Sequence, residues 1–180
     1  MNPKTRLTLL RIGALILVVG LTIALFVYRD YVQKLEAFGY PGIFLVSILS
    51  NATLILPVPG VLFTTAMGAV FNPFWIAIAA GSGAALGEIT GYLAGFSGQA
   101  VVENKIWYER LTRWLKKYGD ITIFILAVVP NPVFDIAGIT AGMLRMPLWR
   151  YLLWSWLGKI VKMLGFAYGG AMILQWIPWW

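Results

Sequence analysis

Four ionisable side chains stand in stretches of sequence that otherwise hold none. Between Ala37 and Val102 the charged residue is Glu88, between Ile121 and Leu144 it is Asp135, and from Tyr151 to Trp180 there are Lys159 and Lys162. A buried carboxylate can carry a proton or a cation; an ammonium can pair with it or meet a phosphate. At the depth of a hydrocarbon core such a group costs about 2.5–3.5 kcal/mol on insertion scales, so it marks a pathway or a pairing. That chemistry is transport rather than catalysis. The chain shows no nucleophile–base pair, and Glu88 with Asp135 is the sole pair of carboxylates that could converge for acid–base work. It holds no Cys and no His, which removes disulfides, thiolate chemistry and the usual zinc or haem ligand sets. No enzyme activity, cofactor or metal site is expected.

The elements that position these groups lie in a membrane. Of the 180 residues 60% are hydrophobic and the mean hydropathy is +0.80, and the longest polar stretch runs only from about Gln99 to Asp120. The net charge of +7 sits mostly beside hydrophobic runs, the ordinary footprint of topology and anionic lipid. Nucleic acid is not an expected partner. The first apolar run, Ile12 to Tyr28, follows Lys4, Arg6 and Arg11 and leads into Arg29-Asp30-Tyr31 in place of a small-residue cleavage site. A retained first helix fits this better than a signal peptide.

The chain repeats itself at an offset of 74 residues: Gly68, Pro73 and Trp75 fall onto Gly142, Pro147 and Trp149, and Gly91, Tyr92 and Gly95 onto Gly165, Phe166 and Gly169. Upstream, Pro57-Val58-Pro59-Gly60 faces Pro130-Asn131-Pro132 after a one-residue slip. Each Pro-x-Pro breaks a hydrophobic stretch, Ile43–Leu56 from Val61–Val70 and Ile121–Val129 from Phe134–Leu144, because proline removes backbone donors and disfavours helix before it. Half-helices of this size reach about 14–21 Å, short of a ~30 Å core. A re-entrant hairpin suits them, with a kinked spanning helix as the alternative. A full spanning helix follows each, Phe74 to about Gly98 and Trp149 to about Gln175. Re-entrant breaks make the repeats inverted, as many secondary transporters are around a midplane site; spanning breaks would make them parallel. Charge favours the first. With the N-terminus cytoplasmic, the loop carrying Lys105, Arg110, Arg113, Lys116 and Lys117 is also inside, joined by Arg145 and Arg150, while the end Trp176–Trp180 anchors the far interface.

The expected organisation is an all-α integral membrane protein: an N-terminal transmembrane helix with its flanks (1–36), repeat 1 (37–98), a central interfacial amphipathic helix (99–120), repeat 2 (121–175) and an aromatic tail (176–180). In the amphipathic helix Trp107, Leu111, Trp114, Leu115 and Tyr118 share one face, which would lie in the headgroup plane. In the repeat register Glu88 superposes on Lys162, each 15 residues after Pro73 or Pro147. Their helix faces carry Gly91/Gly95 and Gly165/Gly169, small-residue pairs that allow close helix approach. If these faces pack together, Glu88 and Lys162 meet near the bilayer centre, as a fixed register pair or as a pair that opens in transport. Asp135, just past the second break, either carries a proton or cation or caps its half-helix. Lys159 is its candidate counter-ion, or a partner for lipid phosphate. Asn51 and Asn131 supply amides near the breaks. The exposed glycine faces leave room for a homodimer.

These residues together resemble the DedA family, also called the VTT or SNARE-associated membrane-protein family. The resemblance rests on Leu56-Pro57-Val58-Pro59-Gly60, Gly87-Glu88 through Tyr92 and Gly95, Lys117-Tyr118-Gly119, Val129-Pro130-Asn131-Pro132-Val133-Phe134-Asp135, Ala137-Gly138 and Ala141-Gly142, across roughly Phe38 to Gly170. It implies two inward-facing re-entrant hairpins and movement of phospholipid or polyprenyl-phosphate between leaflets, in a bacterial type at the inner membrane. Where many members carry acids around the first break this chain has Ser50, Asn51 and Val61, and where many carry arginines around the second it has Ala127, Val133-Phe134 and Asp135. Missing arginines weaken a polyprenyl-phosphate substrate, since Arg is the usual bidentate phosphate partner; Lys159 and Lys162 could substitute as point charges. The expected function is lipid translocation with a proton as candidate coupling ion. A proton- or cation-coupled transporter of a small solute and a non-transporting scaffold are the alternatives.

Overall fold

Residues 36–52, 60–98, 105–131 and 133–175 are described by the computed structural model, and every regular element among them is helical. In chain order these are α1 (Glu36–Ala52), α2 (Gly60–Val70), α3 (Pro73–Gly87), α4 (Ile89–Phe96), α5 (Lys105–Tyr118), α6 (Asp120–Val128), α7 (Val133–Met143) and α8 (Leu148–Gln175). The first apolar run, Pro57, Pro59, Pro132 and the tail 176–180 lie outside the described residues.

Local chemistry explains where the long helices start. Asn72 caps α3, its side-chain oxygen accepting from Phe74 N at 3.0 Å, with Pro73 as the first helical residue. Pro147 stands just before the first residue of α8, its carbonyl taking the amides of Arg150 and Tyr151 at 3.0 and 3.1 Å. The bounds of α2, α6 and α7 fall within a residue of those expected. Helix α1 begins at Glu36, earlier than the expected Ile43, and carries Pro41 inside it. It is described only to Ala52, the expected end at Leu56 lying outside the described residues.

Among the described residues one helix is both long and apolar enough to cross a membrane, Pro73–Phe96, with 24 residues. That is about 36 Å at 1.5 Å per residue, against a ~30 Å core. This span is not uniform as expected: at Glu88 it loosens by one turn, which separates α3 from α4. The bonds Glu88 N to Ala84 O and Tyr92 N to Glu88 O, both 3.2 Å, carry the ladder across. Helix α8 is longer, 28 residues, but carries Arg150, Lys159 and Lys162. Helices α2, α6 and α7 have 11, 9 and 11 residues, too short to cross alone. The result is an all-α multi-pass membrane fold.

Packing follows one rule in both halves. α1 lies on α3 as α6 lies on α8; α2 lies on α8 as α7 lies on α4; and α3 meets α8 between them. Each spanning helix therefore holds the first limb of its own half and the second limb of the other. Small residues make the crossings tight. A Cβ added at Gly68 would come within 2.6 Å of Ala167 Cα, and one at Gly142 within 2.7 Å of Phe96 N. A Cβ at Gly95 or Gly170 would come within 2.8 Å of the carbonyl carbon of Ile139 or Thr65, residues that are themselves equivalent in the repeat.

The expected facing of two glycine pairs needs correction. Gly95 makes a close approach, but to Ile139 of α7, Gly91 lies over the Asp135 backbone, and Gly165 and Gly169 have nothing within 4 Å. The close contacts of α8 to the limbs run through Gly158, against Phe124 and Ala127 of α6, and through Gly170, against Thr65 of α2, so the limbs and not the other glycine face cover this helix. The amphipathic helix is also divided. Leu111 and Leu115 are buried under α7 with Ile123, Phe134 and Tyr151, while Trp114 and Tyr118 are exposed and form with Ile121 and Ile125 an outward apolar surface.

Candidate functional site

Lys159 is 2% exposed, at the middle of α8, and its ammonium gathers groups from every part of the fold. Nζ lies 2.5 Å from Glu88 Oε1 and 2.9 Å from Asn51 Oδ1, and sits 4.5 Å from the centre of the Phe134 ring. Asn51 is in the last turn of α1, just before the first break. Phe134 is in the first turn of α7, just after the second. Glu88 is the loosened turn of the first span. One ammonium thus joins both breaks and both spanning helices.

The expected partner of Glu88 was Lys162; the structure gives Lys159, one turn earlier. Lys162 is only half-buried and interacts with Glu88 and Asp135 through the field alone. The reason is packing. Gly83 and Gly87 let α1 approach α3 so closely that added Cβ atoms would come within 2.9 and 2.8 Å of Ser47 Cβ and Asn51 Cβ. Asn51 is carried there beside Glu88, and Lys159 is the lysine that can reach both. Asp135 lies in the first turn of α7 with its side chain exposed, within the electrostatic reach of Lys159 and Lys162 and without a hydrogen bond among the described residues.

A charge at this depth survives only if paired. The Glu88 carboxylate has one hydrogen-bond partner among the described residues, Lys159; the Lys159 ammonium has Glu88, Asn51 and the face of Phe134. Around them the broken backbone is satisfied as expected at the second break, where Asn131 Nδ2 donates to Leu126 O at 3.0 Å and Val129 O at 2.7 Å. At the first, Thr90 Oγ1 donates to Ala52 O at 3.1 Å and Asn51 Nδ2 to Ser47 O at 2.9 Å. Of three further neighbours, Tyr92 is legible in the sequence on the face of Glu88, whereas sequence reasoning missed Tyr151 and Ser155. Tyr92 and Tyr151 stack at 5.1 Å, with Tyr92 OH donating to Met146 O. Tyr151 OH and Ser155 Oγ are buried without a protein partner among the described residues, two turns and one turn before Lys159 on the same stripe of α8. The i, i+4, i+8 spacing of Tyr151, Ser155 and Lys159 was the available signal.

The basic residues sort differently. Arg110, Arg113, Lys116 and Lys117 are exposed on α5. Arg145 occupies the turn before α8, and Arg150 forms a salt bridge to Asp120 at 2.7 Å.

A multi-pass membrane protein with a charged cluster where two interrupted helices meet its spans is the class that fold and site define. Residues 58–172 match the VTT domain, and the chain belongs to the VTT-domain family. It is 30% identical over 149 residues to the inner membrane protein YqaA of Escherichia coli, 81% of this chain and 98% of that protein. It is 37% identical over 101 residues to the vacuole membrane protein KMS2 of Arabidopsis thaliana, 54% of this chain and 23% of that protein. Over 50 residues it is 42% identical to human vacuole membrane protein 1, 27% of this chain and 12% of that protein. The chain spans less than a quarter of the length of the vacuole membrane proteins it matches. No solved structure matches it significantly.

Proposed function

We propose that the chain is a lipid translocase of the bacterial inner membrane, moving phospholipid or polyprenyl-phosphate headgroups between leaflets past Glu88, Asp135, Lys159 and Lys162. Membership of the VTT-domain family supports a lipid-handling, non-catalytic role. The observation that carries the reading is the convergence of Asn51, Glu88 and Phe134 on Lys159. In this reading each broken stretch is a re-entrant hairpin and the two repeats are inverted, with the N-terminus and α5 on the cytoplasmic side. The short limbs and the exchanged packing, α2 on α8 and α7 on α4, support it. An apolar cavity of about 470 Å³ between α3 and α8, open on the outside of the fold and lined by Leu86, Trp149, Leu153 and Trp156, would take an acyl chain while the headgroup follows the charges. A proton on Glu88 or Asp135 is the candidate coupling ion. The open face of Gly165 and Gly169 is where a homodimer would close.

The test is translocation of fluorescent lipid in liposomes holding the purified chain, beside Glu88→Gln and Asp135→Asn. Flux in the parent that is lost in a folded variant supports the reading. Flux of a small solute with none of lipid would move it to a solute transporter. No flux at all, with variants altering stability alone, would leave a scaffold.

A further inference from the structure

At the entry to α8, nine residues before Lys159, the structure holds a second polar site. An open cavity of about 340 Å³ is bounded by Lys116 of α5, Gly119 and Asp120 at the start of α6, and Arg145 and Arg150 on either side of Pro147. Asp120 Oδ2 accepts three N–H bonds there, from Arg150 Nε at 2.9 Å, Arg150 Nη2 at 2.7 Å and Trp154 Nε1 at 3.0 Å. Three donors converging on one oxygen make an anion clamp, filled here by the chain's own carboxylate. Arg145 on the rim has φ 53 as the left-handed residue that closes α7, with Arg145 N on Gly142 O at 2.9 Å and Met146 N on Ala141 O at 3.0 Å. Neither Arg145 nor Lys116 has a partner among the described residues. Three cations thus face one carboxylate.

The depth of the cavity points to its ligand. Nine residues of helix place Arg150 about 14 Å from Lys159 along the axis, so with Lys159 near the bilayer centre the cavity lies at the edge of a ~30 Å core. That is the level of lipid phosphates. We propose that this cavity binds the phosphate of an anionic lipid headgroup through Arg150, Arg145 and Lys116, and that Asp120 is an internal competitor which the phosphate displaces from Arg150. The inference deepens the lipid-transport reading, and rests on it for the phosphate arriving on a lipid.

The experiment is calorimetric titration of the purified full chain with dihexanoyl-phosphatidic acid, with inorganic phosphate and dihexanoyl-phosphatidylcholine as comparison probes. Phosphatidic acid is expected to bind in preference to both. Arg145→Gln, which breaks no contact among the described residues, and Arg150→Gln should each weaken it about tenfold or more. The double change Arg110→Gln/Arg113→Gln, which removes more charge from the exposed face of α5, should leave it within about twofold. Asp120→Asn should tighten it, with thermal denaturation checking that the variant is folded. Equal weakening by the α5 pair, weaker binding in a folded Asp120→Asn, or no binding by the parent would each overturn the proposal. Inorganic phosphate binding as tightly as phosphatidic acid would overturn the lipid source. Because the readout is binding, a parent that binds but moves no lipid would sink the transport reading and leave this site standing.

Discussion

Replacing Lys159 by methionine should destabilise the protein more than replacing Glu88 by glutamine, and the double variant should be more stable than the lysine variant alone. The asymmetry comes from the partner lists. In Glu88→Gln the ammonium keeps Asn51 Oδ1 at 2.9 Å and the Phe134 ring at 4.5 Å, and the new amide carbonyl can still accept. The loss is then that of one charge-assisted bond, about 1.5–3 kcal/mol. In Lys159→Met the carboxylate, 4% exposed, loses the partner that pairs it, and Asn51 Oδ1 loses its donor. Stranding one member of a buried pair costs about 3–5 kcal/mol. Both values fall toward their lower ends in a bilayer, where the unfolded helices stay in lipid and find other partners. Adding Glu88→Gln to Lys159→Met removes the stranded charge, so the double variant should recover about 1–2 kcal/mol of the loss. The assay is reversible unfolding in bicelles, run as a double-mutant cycle. Equal single costs with an additive double variant would show that Glu88 and Lys159 do not stabilise each other, and the argument for a joined cluster would fall.

Three further outcomes follow from the packing. Gly68→Ala should destabilise by about 1–3 kcal/mol in the same unfolding assay, since its Cβ meets backbone and not a movable side chain; Gly165→Ala, with nothing within 4 Å, should stay within about 0.5 kcal/mol. Tyr92→Phe keeps the stack on Tyr151 but gives up the bond to Met146 O, so it should cost about 1 kcal/mol. Leu111→Ala in α5 should cost about 2–5 kcal/mol, whereas Trp114→Ala, 40% exposed, should chiefly weaken the partition of a synthetic 105–118 peptide into anionic vesicles.

What the sequence made legible was whatever depends on local chemistry. Proline and charge set the limbs, and α6 and α7 fall within a residue of the expected Ile121–Val129 and Phe134–Leu144. The amphipathic face of α5 was readable from its period, but not its division, because only tertiary packing decides that Leu111 and Leu115 go under α7 while Trp114 and Tyr118 stay outside. The same limit hid the partner of Glu88. Repeat register favoured Lys162, since two residues at equivalent positions should meet on a two-fold axis. The spans instead meet each other through smaller residues, with Gly81 against Ile160, and the charges meet where α1 and α7 close on them. Asn51 and Phe134 are ordinary residues in a hydrophobic run, and nothing local to them announces a shared ammonium.

That shared ammonium also constrains how the molecule could open. Asn51 belongs to a limb that packs on α3, and Phe134 to a limb that packs on α4, so both rest on the first span; Lys159 belongs to the second. Any separation of α8 from α3 and α4 must therefore break all the contacts of Lys159 together, Glu88 included. Small partial movements gain nothing, because an ammonium drawn part-way out loses its partners before it reaches water or a headgroup. A compensating anion has to arrive as the pair parts. Asp135, exposed beside the cluster and within the field of Lys159 and Lys162, is placed to hold one of the lysines during that exchange, and a lipid phosphate would hold the other. In the proposed transport, opening and substrate capture are then one event. Glu88 must take Lys159 back when the phosphate leaves, so Glu88→Gln should lose lipid flux while staying folded. Raised flux in a folded Glu88→Gln protein would instead make the pair a latch outside the path.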